Sequence, residues 1–340
     1  MDSDLFQAAP TTTCPRRRPG SLRRTTTADG VRRHGLLQEL EIVGRARDLL
    51  THVDGRAEVI GTAELMVVVD FLPDRLIRSV ATRPPTAGLD ALVGRRATNG
   101  FRLALQLASP ERHEDGSLAA ALLEDIPNVT MLSRLVLLRN AAPRELLGVS
   151  RVPPVDICAG IASDTSLGRA AVAGREPAQQ LDMAAPELDD LGDELAWHAT
   201  PEVPILRFRR VRRLDIDLPT RVQPSIVVSS WFRDTVRDRD GTEVVIHEYS
   251  VQAEIEAATQ RVVACRALPH VLPVLGCARA AASAEWLIGL TLPEIHRRVR
   301  DQFEGVKTCT HLNEQLRAMG DTHQAVRQAL HLLGREEWTE

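Results

Sequence analysis

Three side chains in the last third of the chain have the chemistry of metal ligands or nucleophiles: His247, Cys277 and Cys309. His247 lies in a segment whose alternating apolar residues predict a β-strand, and each cysteine directly precedes a predicted helix. A thiol at a helix N-terminus faces the positive end of the helix dipole, which favours the thiolate. About 30 residues separate each position from the next, so the spacing is unlike that of a zinc knuckle.

This set is compatible with two kinds of chemistry. Two thiolates and one imidazole suit Zn²⁺ or a mixed-ligand iron–sulfur centre, so His247, Cys277 and Cys309 are candidate metal ligands. Glu248 and His311 are candidate catalytic residues, because either could supply a fourth ligand or move the proton of a metal-bound water. Without a metal, Cys309 could be a nucleophile assisted by His247 or His311. The remaining alternative is structural, since free cysteines are usually small buried apolar side chains.

Composition narrows the class of protein and of partner. The chain has 340 residues, 44% of them hydrophobic, and a net charge of −4, which is typical of a soluble globular protein of about two domains. We therefore expect no nucleic-acid partner and no membrane surface. There is no apolar run of about 18 residues, and the five cysteines lack disulfide spacing, which predicts a cytoplasmic location. A small-molecule substrate or a protein partner stays possible, and the oligomeric state is open.

Predicted strands precede predicted helices in two stretches of the chain, which favours the α+β class. We predict a disordered basic tail over residues 1–33 and a degenerate N-terminal α+β domain over 34–141. A Pro-, Ala- and acid-rich connector over 142–204 then leads to a C-terminal α+β domain over 205–335 that carries the His/Cys/Cys site. The two domains look like duplicates, displaced by about 186 to 195 residues, with Gly61 at the place of His247 and Gly94 at that of Gly289.

Two resemblances extend this interpretation. The Cys-Thr-His-Leu run at residues 309–312, the His in Ile246-His247-Glu248, and the prolines before Cys277 resemble a bacterial family of uncharacterised function with a C-T-H-L signature. More distantly, Gly276 to Leu312 is similar to the second and third cysteine segments of NifU/IscU-type iron–sulfur scaffold proteins. That likeness implies two tandem, duplicated SufE/NifU-like domains, each an antiparallel sheet followed by helices, with Cys277 and Cys309 binding a cluster.

The function expected from these features is metal or iron–sulfur binding at a His/Cys/Cys site, by a carrier or by a metal-site enzyme of small-molecule metabolism. One alternative is a metal-free Cys/His or acid–base enzyme, such as a lyase, isomerase or hydrolase acting on a small organic substrate. Another is a non-catalytic assembly or interaction partner. Whether the protein is an enzyme stays open, because no phosphate loop, nucleotide fingerprint or hydrolase elbow identifies a substrate.

Overall fold

One antiparallel sheet of nine strands runs through both halves of the chain. The computed structural model describes residues 9–35, 37–110, 115–140, 155–175, 183–200, 206–335 and 338. The sheet order is β4-β3-β2-β1-β6-β7-β8, and both β9 and the two-residue β5 pair with β8. The strands are β1 Ser21–Val31, β2 Leu40–Thr51, β3 Ala57–Asp70, β4 Leu76–Arg83, β5 Met183–Ala184, β6 Arg207–Asp217, β7 Ser225–Arg237, β8 Glu243–Glu256 and β9 Arg261–Val271.

The central strand β1 lies within the segment that we predicted to be a disordered basic tail. It pairs with β2 on one side and β6 on the other, and every one of its residues is buried. The prediction is wrong for residues 21–31, because the two adjacent arginines in this strand each have a carboxylate partner. Arg23 donates to Asp215 at 2.5 Å, and Arg24 donates to Asp48 at 2.8 Å.

Helices cover one face of this sheet. Apolar side chains of the sheet and the helices form two clusters, one in each half of the molecule, between these two layers. No helix among the described residues is long and apolar enough to cross a membrane. The helices are α1 Phe101–Ala108, α2 Leu118–Leu132, α3 Arg134–Arg139, α4 Ser166–Val172, α5 Ile295–Gln302, α6 Thr310–Ala318 and α7 Thr322–Leu332.

The opposite face of the sheet is covered by two extended segments, residues 9–19 and 183–198. They contact each other through backbone hydrogen bonds between Cys14 and Asp189 and between Asp189 and Thr12. The ring of His198 lies between the hydroxyls of Thr25 and Thr27, at 2.8 and 3.0 Å. The second segment therefore packs on the sheet, although we predicted it to be part of an interdomain connector. Residues 142–154, 176–182 and 201–204 of that connector lie outside the described residues.

The two halves of the sheet repeat the same irregularities. The pairing of β2 with β3 shifts register after Asp48, and the pairing of β7 with β8 shifts after Asp234, which is the equivalent residue of the second half. Gly94 donates to the carbonyl of Ile77, and Gly289 donates to that of Val262, both at 2.8 Å. Strand pairing joins β1 to β6 along their whole lengths, so the prediction of two tandem SufE/NifU-like domains is wrong. An α+β arrangement remains, built as one continuous sheet with helices on one face.

Candidate metal centre

Two histidines and an aspartate meet on the helix-covered face, beneath α6. His247 of β8 is the register partner of Asp234 in β7, and its Nδ1 lies 3.1 Å from Oδ2 of that carboxylate. His311, in the first turn of α6, stacks on His247 with ring centroids 3.7 Å apart. Ligand atoms of Asp234, His247 and His311 all lie within 4.8 Å of one another. Among the described residues, no other group of three His, Cys, Asp or Glu side chains has its ligand atoms this close together.

Asp234 is held as a carboxylate by Arg210. The guanidinium donates from Nε and Nη2 to the two oxygens of Asp234, at 2.7 Å each, while its Nη1 donates to Glu314 at 2.6 Å. Burial alone would raise the pKa of Asp234, but the charge and hydrogen bonds of Arg210, with those of His247, hold it well below its usual range. Burial also opposes ionisation of Glu314, and Arg210, Arg102 and Arg317 outweigh it, lowering its pKa to about 2.

This ion pair belongs to a buried network between the two halves of the molecule. Arg212 contacts Asp125 at 2.6 Å, and Arg102 bridges Glu124 and Glu314 at 2.7 Å each. Four arginines face four carboxylates, so the network is electrically balanced. Its members are Arg102, Arg210, Arg212, Arg317, Glu124, Asp125, Asp234 and Glu314.

His311 has a ring nitrogen with no hydrogen-bond partner. Its Nε2 is buried and has none among the described residues, while its Nδ1 lies 3.9 Å from Sγ of Cys309. Burial lowers the pKa of His311 to about 3, and the charge of His247 adds to the shift. The imidazole is therefore neutral at pH 7. A neutral imidazole has one lone pair, which can bind a metal or accept a proton.

The two predicted cysteine ligands have different positions relative to this group. Cys309 is the N-cap of α6 and lies beside His311. Burial raises its pKa to about 11, although the backbone N–H groups of Leu312 and His311 favour the thiolate. Cys277 lies in a run of 3₁₀ helix, with its Sγ against Gly160 and its carbonyl accepting from Tyr249 at 3.2 Å, near enough to Cys309 for the two thiols to interact electrostatically. Burial raises the pKa of Cys277 well above its usual range.

Glu248, the other candidate for proton transfer, points to the opposite face of the sheet from His247, because successive side chains of a strand alternate. It is fully buried and accepts hydrogen bonds from Trp231 at 3.1 Å, Arg233 at 2.7 Å and the backbone N–H of Thr11 at 2.8 Å. The structure therefore brings His247 and His311 together, puts Cys309 beside them, and leaves Glu248 and Cys277 outside the group.

Asp234 is the member of the group that our sequence analysis missed. It lies at the end of a predicted strand, on the same inward face as the apolar residues Phe232, Val228 and Ile226. A charged residue at an inward position of a strand indicates a buried ion pair. That signal was present in the sequence, but the register of β7 against β8 is needed to show that its partner is His247.

Lowering the pH from 6.5 to 5 is expected to reduce the free energy of unfolding, through His311 and His198. Burial lowers the pKa of His311 to about 3 and that of His198 to about 4, from an ordinary value of 6.5. As the pH falls below 6.5, both histidines become protonated in the unfolded chain but stay neutral in the folded protein, so the free energy of unfolding decreases. Each histidine contributes up to about 1.4 kcal/mol per pH unit. Urea unfolding at several pH values measures the slope. His311→Gln and His198→Gln should each flatten it, and an unchanged slope in both would contradict this assignment.

The comparisons with known proteins give a match of one part of the chain to a family model, and no function. No curated protein matches the chain, and no solved structure matches it. Nothing in them supports the resemblance to iron–sulfur scaffold proteins. Asp234, His247, Cys277, Cys309 and His311 all lie in residues 210–325, and that span matches the model of a family of proteins of unknown function, DUF2889.

Proposed function

We propose that His247 and His311 bind one divalent transition-metal ion and that Asp234 orients or completes the site. The observation that carries this proposal is the buried, unpartnered Nε2 of His311, in a group of ligand atoms within 4.8 Å of one another. Two imidazoles and a carboxylate are a common ligand set for zinc and for non-haem iron. Zinc fits better than an iron–sulfur cluster, because the ligand atoms that meet within 4.8 Å belong to two imidazoles and a carboxylate, whereas clusters are held mainly by thiolates.

The contact between Asp234 and Nδ1 of His247 supports the proposal. A carboxylate that accepts from one ring nitrogen fixes the tautomer and leaves a lone pair on the other nitrogen, as in carboxylate–histidine–zinc arrangements. The stacked rings would have to separate for both Nε2 atoms to reach one ion. Because the surrounding arginines and carboxylates already balance, a dication needs an added anion. The thiol of Cys309 can offset one of the two positive charges by losing its proton, so we expect affinity to increase with pH.

Replacing both histidines by alanine, in a His247→Ala/His311→Ala variant, is expected to abolish binding of one zinc ion per chain. The measurements are elemental analysis of the purified protein and competition against a zinc chelator. Loss of both imidazoles should lower affinity by more than about 100-fold, beyond the 10–100-fold effect of an outer-shell partner. His198→Gln is the matched control, since His198 is also a buried histidine but uses both of its ring nitrogens on threonine hydroxyls.

A wild-type protein without metal, and with no affinity for added zinc, would contradict the proposal. Equal affinity in the wild type and the double variant would do the same, because the ion would then lie elsewhere. Circular dichroism of the variant confirms that it is folded.

The contact between Cys309 and His311 favours a second candidate, a metal-free Cys/His enzyme acting on a small molecule. The thiol caps α6 and lies 3.9 Å from Nδ1 of a neutral imidazole, which can accept its proton. Since burial raises the pKa of Cys309 to about 11, the thiol would have to lose its proton as it attacks.

All five cysteines are free, which supports our proposal of a cytoplasmic location.

A further inference from the structure

Two arginines lie over the ring of Phe71 at one end of the N-terminal half, and a third, Arg134, is near enough to Arg75 to feel its charge. Arg32 follows β1, and its Cζ lies 4.0 Å above the Phe71 ring. Arg75 lies in the turn between β3 and β4, with its Cζ 5.4 Å from the same ring. Arg134 is the first residue of α3. The preceding residue, Ser133, packs directly on Gly30 of β1, where there is no room for a Cβ atom. The charge of Arg75 lowers the pKa of Arg134, in addition to the larger effect of burial.

These arginines differ from Arg24 and Arg210 of the sheet, because no carboxylate in the described part of the chain pairs with them; the buried Arg47 shares this feature but donates to the carbonyl of Leu195 at 2.6 Å. Asp74, the sequence neighbour of Arg75, is bound to Arg96 at 2.7 Å. Nε of Arg32, Arg75 and Arg134 is buried without a partner, as is Nη2 of Arg32. Arg32 donates from Nη1 to the carbonyl of Gln38 at 3.3 Å. Burial lowers the pKa of all three, to about 10 for Arg32.

One aromatic ring offsets little of the free energy that is needed to bury the charge of Arg32 and to half-bury those of Arg75 and Arg134. By contrast, Arg24 and Arg210 on the same sheet face donate to Asp48 and Asp234 through two guanidinium nitrogens each. The Phe71 cluster therefore has cationic donors but lacks the anion that such donors bind elsewhere in the protein. An anion from solution would complete it.

We propose that Arg32, Arg75 and Arg134 bind a phosphoryl group, supplied as inorganic phosphate or by a phosphomonoester. The planar guanidinium fork matches the geometry of phosphate oxygens, and three cations match a dianion better than a single carboxylate. Arg32 is 5% exposed and forms the base of the site, while the half-buried Arg75 and Arg134 remain accessible from solvent.

The C-terminal half has no counterpart of this cluster. Its sheet repeats the backbone of the N-terminal half, including the left-handed residue before the fourth strand, at φ 57° for Arg75 and 55° for Gln260. In the same alignment Leu218 stands for Arg32 and Ala257 for Phe71. Each half thus has a polar cluster that the other lacks: the arginines in one, and Asp234 with its two histidines in the other.

Titration calorimetry at constant ionic strength tests this site with three probes: inorganic phosphate, glycerol phosphate and acetate. We expect saturable binding of at least one phosphoryl probe, and at least tenfold weaker binding in Arg75→Gln and in Arg134→Gln. Preference between the first two probes shows whether the source is free phosphate or an ester. Arg221→Gln is the matched control, because that arginine is exposed on a loop outside the cluster.

The same titration in the His247→Ala/His311→Ala variant separates this site from the proposed metal centre. We expect unchanged phosphate affinity there, whereas loss of binding would place the anion on the metal and overturn the arginine site. Absence of saturable binding for both phosphoryl probes would also overturn it, as would acetate binding as tightly as phosphate. Arg32→Met adds a readout without ligand: removing the unpaired charge should raise the melting temperature while abolishing stabilisation by phosphate. A lower melting temperature would indicate that Arg32 is a structural cation.

Discussion

Deletion of residues 1–31 is expected to prevent the protein from folding, whereas deletion of residues 1–20 leaves a folded chain. The longer deletion removes β1, which pairs with β2 and β6 over 11 residues on each side. Without it, the two halves of the sheet lose the strand that joins them, and two long strand edges are left unpaired. Of the described residues, the shorter deletion removes 9–20, which cover part of the second sheet face.

Circular dichroism and cooperative urea unfolding of the two truncated proteins give the result directly. We expect no cooperative transition after the longer deletion, and a transition at lower urea concentration after the shorter one. The shorter deletion is destabilising because it uncovers buried polar groups, such as Glu248, which accepts from the backbone of Thr11. A folded protein after the longer deletion would contradict the central position of β1.

Alternating apolar residues were enough to locate several elements. The sequence predicts one or two strands over Ala57–Asp70, where the structure has β3, and a clearly alternating strand over Val244–Ala257, where β8 spans Glu243–Glu256. Such strands bury one apolar face, which fixes their periodicity in the sequence. β1 could not be found in this way, because its inward positions include Arg24 and Thr26, and its stability comes from partners on other strands.

The joining of two similar halves into one sheet was also beyond sequence reasoning. Internal similarity shows that two segments share a local pattern, but it does not show whether they form separate domains or pair strand to strand. Here the pairing of β1 with β6 is matched by ion pairs across it, including Arg23 with Asp215 and Arg209 with Asp29. Those pairs join residues far apart in the sequence, so only the register reveals them.

The same limit explains the site. His247 and His311 were identified from residue type and position, and the structure stacks their rings. Glu248 is next to His247 in the sequence but lies on the other face of the sheet. Asp234, which is 13 residues from His247 in the chain, is its partner because a hairpin brings β7 beside β8. Chemistry across a sheet therefore depends on register, whereas sequence neighbours are separated by the strand itself.

Asp234→Asn and Asp48→Asn are expected to destabilise the protein to a similar extent but to differ in their effect on metal binding. Each aspartate accepts two hydrogen bonds from a buried arginine at an equivalent place in its half of the sheet. Breaking a buried ion pair costs up to about 3–5 kcal/mol, and each arginine keeps one further carboxylate, Glu314 for Arg210 and Asp321 for Arg24. Urea unfolding measures this loss for both variants.

Metal affinity then distinguishes the two aspartates. Asp48 faces Gly61 across the strand pair, whereas Asp234 faces His247 and contacts its Nδ1. An asparagine at 234 can no longer hold the imidazole by charge, so zinc affinity should fall by about 10–100-fold, the range for outer-shell partners. Asp48→Asn should keep wild-type affinity when both proteins are measured without urea, at a temperature where each is folded. Equal losses in the two variants would mean that Asp234 acts on the metal only through the stability of the fold, and its role in orienting His247 would be abandoned.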